Sequence, residues 1–189
     1  MASKSHKGTI GAWYEADDHD FRELEQKVRR GDRLEFDRGK YAHWGIYVGD
    51  YHGMEHVVIH FGKFKGGAAS SEENTSGSAV SASSKPEIRA DSIRAVLGTS
   101  SKVRINNSMD KAKTPLSADV VAERAKKMHR ERVAIDYNLI KSNCEHFVNR
   151  CRYNYPTSYQ VYAAFANSFL CCVTAVVGFF HSIARPRNQ

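Results

Sequence analysis

The stretch Asn143-Cys144-Glu145-His146-Phe147 places a cysteine directly after an asparagine, where the sequence predicts the start of a helix. Apolar residues follow Cys144 at the spacing of one buried helical face, and either Ser142 or Asn143 can cap the helix. The partial positive charge and unpaired N–H groups at a helix N-terminus favour a thiolate. Cys144 is therefore a candidate nucleophile, although an isolated cysteine of this kind is more often a small buried residue.

A base for this thiol is predicted upstream, in the stretch Tyr41-Ala-His-Trp-Gly-Ile-Tyr-Val-Gly-Asp50, which reads as a strand ending in a turn. Strand alternation puts His43 on the less apolar face. A second strand, 55–61, follows and forms a hairpin with the first, and it carries His56 and His60 on one face. Either histidine could lie beside His43 and fix the nitrogen through which His43 accepts a proton.

These residues together resemble the lecithin:retinol acyltransferase (LRAT) superfamily, and within it the phospholipase A and acyltransferase group. The resemblance is carried by His43-Trp-Gly-Ile-Tyr-Val-Gly-Asp50, by a histidine on the next strand, and by Asn143-Cys-Glu-His-Phe-Val-Asn149 with Arg152-Tyr153 after it. It extends from about Phe21 through Tyr162. The resemblance implies an α+β fold of the circularly permuted papain-like (LRAT/NlpC) type, with an antiparallel sheet packed on helices and a C-terminal hydrophobic helix.

The resemblance also implies a role for each candidate site residue. Cys144 corresponds to the nucleophile that carries the acyl group, His43 to the general base and acid, and His60 to the residue that orients His43. His56 is the alternative to His60, because it lies closer to the family's histidine spacing than His60 does. His60 is preferred because Val58-Ile-His-Phe61 matches the local pattern around the family's second histidine.

Composition and patterning suggest one domain with appendages, since 189 residues with 41% hydrophobic content suffice for a single core. We expect a tail over 1–20, a catalytic domain over 21–157, a hydrophobic helix over 158–184 and a short tail over 185–189. Within the domain, residues 66–86 are rich in glycine and serine and poor in large apolar residues, which is typical of a flexible insertion.

The C-terminal segment predicts contact with a membrane. From Tyr153 to Ala184 the sequence has no acidic or basic residue apart from His181. Within this segment, the stretch from Ala163 to Phe180 is mostly apolar. This is a marginal length for a spanning helix, and a buried terminal helix is the alternative. The N-terminus lacks an apolar signal-peptide core and the cysteines lack a disulfide pattern. We therefore expect a single-pass anchor that holds the protein at the cytoplasmic face of an intracellular membrane.

The expected function is that of a thiol-dependent, phospholipid-metabolising enzyme. The resemblance implies phospholipase A1/A2 activity and acyl-CoA-independent N- or O-acyl transfer through a thioester on Cys144, with phosphatidylcholine and phosphatidylethanolamine as substrates. This scheme requires no cofactor and no metal. The alternatives are a retinol-type acyltransferase, a cysteine peptidase and a non-catalytic membrane-associated interaction module. A zinc site built from these histidines and Cys144 is a weaker interpretation.

The net charge of +7 does not by itself indicate nucleic-acid binding. The densest basic run, Arg124-Ala-Lys-Lys-Met-His-Arg-Glu-Arg132, contains apolar residues at helical spacing, so its charges are expected on the solvated face of a helix that begins near Ser117. We expect no nucleic-acid partner. Basic side chains near a hydrophobic anchor suit anionic lipid better.

Overall fold

The computed structural model describes residues 6–64, 85–98, 102–135 and 143–155, all within one compact unit, Met1–Thr157. The chain has an α+β arrangement, in which four consecutive strands follow the first helix and two helices come last. The strands are β1 (Arg33–Asp37), β2 (Ala42–Tyr51), β3 (Met54–Phe64), β4 (Lys85–Ser92) and β5 (Val103–Ile105). The helices are α1 (Asp18–Lys27), α2 (Ile93–Leu97), α3 (Ala118–Arg130) and α4 (Cys144–Tyr153), with a 3-10 helix at Ser108–Lys111.

The five strands form one antiparallel sheet in the order β4-β3-β2-β1-β5. The strands β2 and β3 are the predicted hairpin, and they occupy the centre of the sheet. Because helices pack against both faces of the sheet, the alternating side chains of β2 and β3 are buried on both faces. The centre of the sheet is therefore where polar side chains have to find protein partners.

Each face of the sheet packs against a different pair of helices. On one face, Ile46 and Ile59 join a buried cluster with Val121 of α3 and Phe147 of α4. On the other face, Leu34 and Val58 belong to a second cluster that includes residues of α1 and α2, namely Phe21, Leu24, Ile93, Val96 and Leu97. Helix α4, which begins with Cys144, is thereby attached to the sheet through its apolar side.

A side-chain cap sets the beginning of helix α1. Helix α1 begins at Asp18, because the carboxylate of Asp17 accepts hydrogen bonds from the N–H groups of His19 and Asp20. Helix α3 follows Ser117 as predicted. Burial of Val121, Ala125 and Met128 on its inner side leaves most of the basic side chains on the outer side.

Part of the predicted N-terminal tail packs on the sheet. Ile10 bridges to Asn106, and Tyr14, which is buried, bridges to Val103 of β5. The segment before α1 thus extends the sheet at its β5 edge. Most of the predicted insertion lies outside the described residues, whereas Pro86, at its end, belongs to β4.

The predicted C-terminal hydrophobic helix, 158–184, lies outside the described residues. Within the ranges that the structure does describe, none of the helices combines the length and the apolar character that crossing a membrane requires.

A buried ion pair ties α4 to the rest of the fold. The guanidinium of Arg152 donates to both carboxylate oxygens of Asp110, at 2.9 and 2.6 Å, and a third hydrogen bond of 2.6 Å reaches the carbonyl of Gly31. Tyr153 Oη and the N–H of Gly8 also donate to Asp110, at 2.7 and 3.1 Å. Burial alone would raise the pKa of Asp110, but the hydrogen bonds from Arg152 and Tyr153 outweigh it, and the pKa lies below its ordinary value.

Replacing Asp110 by alanine should leave the buried Arg152 charge uncompensated. We expect Asp110→Ala to lower the free energy of unfolding by about 3–5 kcal/mol, measured by urea denaturation at pH 7. Asp119→Asn, which removes a largely exposed carboxylate beside Arg30, should change it by less than about 1 kcal/mol.

The same substitution should reduce the acid sensitivity of the fold. Because the folded-state pKa of Asp110 is depressed, its contribution is present above the unfolded-state pKa of about 4 and is lost as the pH falls through the folded-state value. Wild type should therefore lose more stability than Asp110→Ala below about pH 4. Equal losses in the two proteins would contradict this assignment.

Candidate active site

Two histidines from neighbouring strands form a direct hydrogen bond in the centre of the sheet. The β2–β3 register pairs Gly45 with His60, which puts His43, two residues before Gly45, on the same face as His60. His43 Nε2 lies 2.8 Å from His60 Nδ1, and the two rings meet edge to face with centroids 5.0 Å apart. Both side chains are buried, at 3% and 2% exposure. A buried imidazole pair at this distance has to share one proton between the two nitrogens.

The absence of a side chain at position 45 makes room for this pair. A Cβ on Gly45 would lie 2.2 Å from Val58 Cγ1 and 3.3 Å from His60 Cβ. Val58 and His60 flank Gly45 on the same face of the sheet. The glycine therefore allows β2 and β3 to pair closely beside the two imidazoles.

The alternative histidine, His56, lies apart from this pair. It is near the hairpin turn, in a left-handed conformation with φ of 51°, where the β2–β3 register shifts. Its Nδ1 lies 3.0 Å from the hydroxyl oxygen of Tyr47. The structure thus brings His60 to His43, and it brings His56 to Tyr47.

A carboxylate from the next strand joins the histidine pair. Asp91 of β4 lies with its Oδ2 3.0 Å from His60 Nε2, so that both ring nitrogens of His60 have partners. The hydrogen bond to His60 holds the pKa of Asp91 below its ordinary value, although burial opposes this. Asp91 was not among the residues predicted from the sequence. It follows the 66–86 insertion, and no local pattern reveals the β3–β4 register across that segment.

The N-terminus of α4 is capped by Asn143. Its side-chain oxygen accepts hydrogen bonds from the N–H groups of Glu145 at 3.0 Å and His146 at 3.1 Å, and the imidazole of His146 accepts from the N–H of Asn143 at 3.3 Å. Burial lowers the pKa of His146, which keeps the ring neutral and able to accept. The N–H groups of Glu145 and His146 are therefore engaged by the cap.

Cys144 is the first residue of α4 and lies at the beginning of β2. Its Sγ is 3.8 Å from the carbonyl oxygen of Ala42, which belongs to the peptide group joining Ala42 to His43. The side chain is buried, with 6% exposure, and packs in the cluster that contains Trp44 and Phe147. The thiol and the histidine pair therefore lie at the same end of strand β2, where the helix N-terminus also favours negative charge on sulfur.

Two opposite charges are buried near the thiol. Glu145, next to Cys144, is 2% exposed, and Arg33 of β1 is 1% exposed with its guanidinium carbon 4.3 Å from the centre of the Trp44 ring. Burial lowers the pKa of Arg33, while attraction to Tyr153 and Glu145 partly offsets that effect. The positive charge of Arg33 thus counters the negative charge of Glu145 beside the nucleophile candidate.

Among the described residues, the group suited to a metal ion is an exposed set on the first turn of α1 and its cap, Asp17, His19 and Asp20. None of these belongs to the histidine pair or to α4. Asp17 already serves as the helix cap through its carboxylate.

The chain is similar in sequence to a known protein family and to several of its members. Residues 26–157 match the family model of lecithin retinol acyltransferase. The chain is 36% identical over 140 residues to human phospholipase A and acyltransferase 2, which covers 73% of this chain and 78% of that protein. It is 39% identical over 137 residues to human phospholipase A and acyltransferase 5, covering 71% of this chain and 44% of that longer relative. Human phospholipase A and acyltransferase 1 is 36% identical over 160 residues, covering 84% and 87% of the two chains.

The two described cysteines should differ in reactivity. Cys144 and Cys151 are both free thiols, but complete burial raises the pKa of Cys151 to about 12. We expect iodoacetamide at pH 8 to alkylate Cys144 in the native protein and to spare Cys151, as measured by mass spectrometry of the derived peptides. Both should react in urea. Native alkylation of Cys151 at the rate of Cys144 would contradict this assignment.

Proposed function

Because the chain belongs to the lecithin retinol acyltransferase family, in its phospholipase A and acyltransferase group, we propose that it takes acyl chains from glycerophospholipids. The proposal rests on one observation above all: the 2.8 Å contact between His43 and His60 lies at the end of β2 where Cys144 begins α4. Nucleophile, base and orienting group are the three parts that thiol acyl transfer requires.

The first half of the reaction forms a thioester. His43 accepts the thiol proton of Cys144, and the sulfur attacks an ester carbonyl of the phospholipid to form a tetrahedral adduct. The adduct expels the glycerol oxygen, which takes the proton back from His43, so that a lysophospholipid leaves and the acyl chain stays on sulfur. His60 holds the His43 ring in the orientation that this proton transfer needs.

The second half of the reaction releases the acyl chain. Water attacking the thioester gives a fatty acid, which is phospholipase A1/A2 activity. An amine such as that of phosphatidylethanolamine gives an N-acyl product, and a hydroxyl gives an O-acyl product, in both cases without acyl-CoA. His43 takes the proton of the attacking group, and the thiol of Cys144 is restored.

We further infer two features that the resemblance implies. These are a circularly permuted papain-like topology for the 21–157 domain and a hydrophobic helix over 158–184 that attaches it to a membrane. The support is the apolar composition of 163–180 and the uncharged stretch around it. Attachment at the cytoplasmic face of an intracellular membrane would put the thiol beside its phosphatidylcholine and phosphatidylethanolamine substrates.

The thioester should be detectable directly. Incubating the full chain with phosphatidylcholine vesicles should add a fatty-acyl mass to the peptide that contains Cys144 and release lysophosphatidylcholine, both followed by mass spectrometry. Cys144→Ala should abolish the adduct and the release, whereas Cys151→Ala, the matched control, should retain both. Absence of the adduct from folded, vesicle-bound wild type would overturn the proposal. Turnover of a peptide substrate or of a retinol acceptor instead would redirect it to one of the alternative activities.

Substitutions of the three histidines of β2 and β3 should differ in their effect on turnover. His43→Ala should lower the kcat for lysolipid release by about 10²–10⁴-fold through loss of the base, and His60→Ala should lower it by a smaller factor. His56→Asn should leave kcat nearly unchanged, because asparagine tolerates the left-handed backbone and His56 contacts Tyr47 rather than His43. A larger loss in His56→Asn than in His60→Ala would reverse the assignment of the two residues.

A further inference from the structure

We propose that Asp91 is a positioning residue that sets where the protons lie on His60 and His43, and thereby makes His43 the base for Cys144. This inference rests on the proposed function, because it concerns the same proton transfer. It adds a third member, from strand β4, to the pair formed by His43 and His60.

The sheet register delivers Asp91 to His60. Strand β4 pairs Arg89 with His60 and Asp91 with Val58, so Asp91 is the diagonal neighbour of His60 on the same face. Its Oδ2 lies 3.0 Å from His60 Nε2, with 18% of the Asp91 side chain exposed and 2% of the His60 side chain. The contact is thus fixed by strand pairing and is largely shielded from water.

When Asp91 is ionised and both histidines are neutral, the three side chains permit one arrangement of the histidine protons. An ionised carboxylate can only accept, so His60 Nε2 must carry a hydrogen. In neutral His60 the other nitrogen, Nδ1, is then an acceptor, and the 2.8 Å contact requires the hydrogen of His43 Nε2. Neutral His43 therefore has its lone pair on Nδ1, which is the nitrogen that can accept the thiol proton.

Without the carboxylate the opposite arrangement becomes possible. His60 can then carry its hydrogen on Nδ1 and donate it to His43 Nε2. That places the hydrogen of neutral His43 on Nδ1, and a nitrogen that already bears a hydrogen cannot take another from Cys144. Asp91 also stabilises the positive charge that the relay acquires once His43 has accepted the proton, as carboxylates do beside catalytic histidines.

The charges that face Asp91 come from three elements. His60 approaches from β3. Arg89 belongs to β4, as Asp91 does, and its Nε lies 3.5 Å from Asp91 Oδ2. His129 of α3 interacts electrostatically with Asp91. Burial lowers the pKa of His129, which reduces its positive charge at neutral pH. Arg89 is also 3.7 Å from Glu87, which is 54% exposed. Glu87 is therefore a matched control, because its removal changes the charge of the same strand at an exposed position beside Arg89.

The test compares Asp91→Asn and Glu87→Gln with wild type in the full chain. The rate of Cys144 alkylation by iodoacetamide is measured from pH 5 to pH 9 by peptide mass spectrometry, and lysolipid release from phosphatidylcholine vesicles gives kcat and KM. In Asp91→Asn we expect the alkylation midpoint to move to higher pH and kcat to fall by about 10- to 100-fold, the usual range for a lost orienting partner, with KM nearly unchanged. Glu87→Gln should match wild type, and Asp91→Glu should restore the wild-type midpoint.

The outcomes separate this inference from the proposed function. If wild type forms the thioester and Asp91→Asn matches it in pH profile and kcat, the role of Asp91 is overturned and the proposed function stands. If wild type forms no thioester, the proposed function fails, and the alkylation midpoints still decide whether Asp91 governs the thiol. Should Asp91→Asn not fold, ¹⁵N NMR of the wild-type imidazoles decides: hydrogen on Nε2 of both His43 and His60 supports the inference, and hydrogen on Nδ1 of His60 overturns it.

Discussion

The register between β2 and β3 is the constraint on which the candidate site depends. Side chains alternate across a strand, so a slip of one residue would move His60 to the opposite face and separate it from His43. Gly45, opposite His60, permits this pairing because a side chain there would collide with Val58. The register shifts on either side of Gly49 cancel, because Tyr51 pairs with Met54 in the same register as Gly45 with His60, and His56 is left near the turn. The position of the hairpin turn and one glycine thus decide which histidine joins the site.

The local parts of this arrangement could be predicted from the sequence. Capping and apolar spacing placed the start of α4 after Ser142 or Asn143, and the structure has Asn143 as the cap. Alternation and a turn signal gave the β2–β3 hairpin, and the family and α+β class followed from the motifs. Alternation alone could not choose between His56 and His60, because it assigns both to one face. The choice depends on the pairing of Gly45 with His60, which the position of the hairpin turn sets and which alternation does not give.

Contacts between distant parts of the chain could not be predicted. The neighbours of Asp91 depend on how β4 pairs with β3 across a segment whose composition carries no register signal. The pairing of Asp110 with Arg152 joins a 3-10 helix to the last turn of α4, and the bridges of Ile10 and Tyr14 attach a polar N-terminal segment to β5. Each is a long-range interaction between residues that look ordinary in their local sequence, so spacing and propensity give no sign of it.

The carboxylates of Asp110 and Asp91 differ in role because they differ in their hydrogen-bond partners. Asp110 accepts from Arg152, Tyr153 and a backbone N–H, so its lone pairs are committed to strong donors and it serves to hold α4 in place. Asp91 instead has a histidine as its closest partner, with Arg89 farther away at 3.5 Å. A histidine can gain and lose a proton near neutral pH, whereas an arginine cannot. A carboxylate bound to arginine therefore stabilises a structure, and one bound to a histidine pair can also transmit its charge to the group that the pair serves.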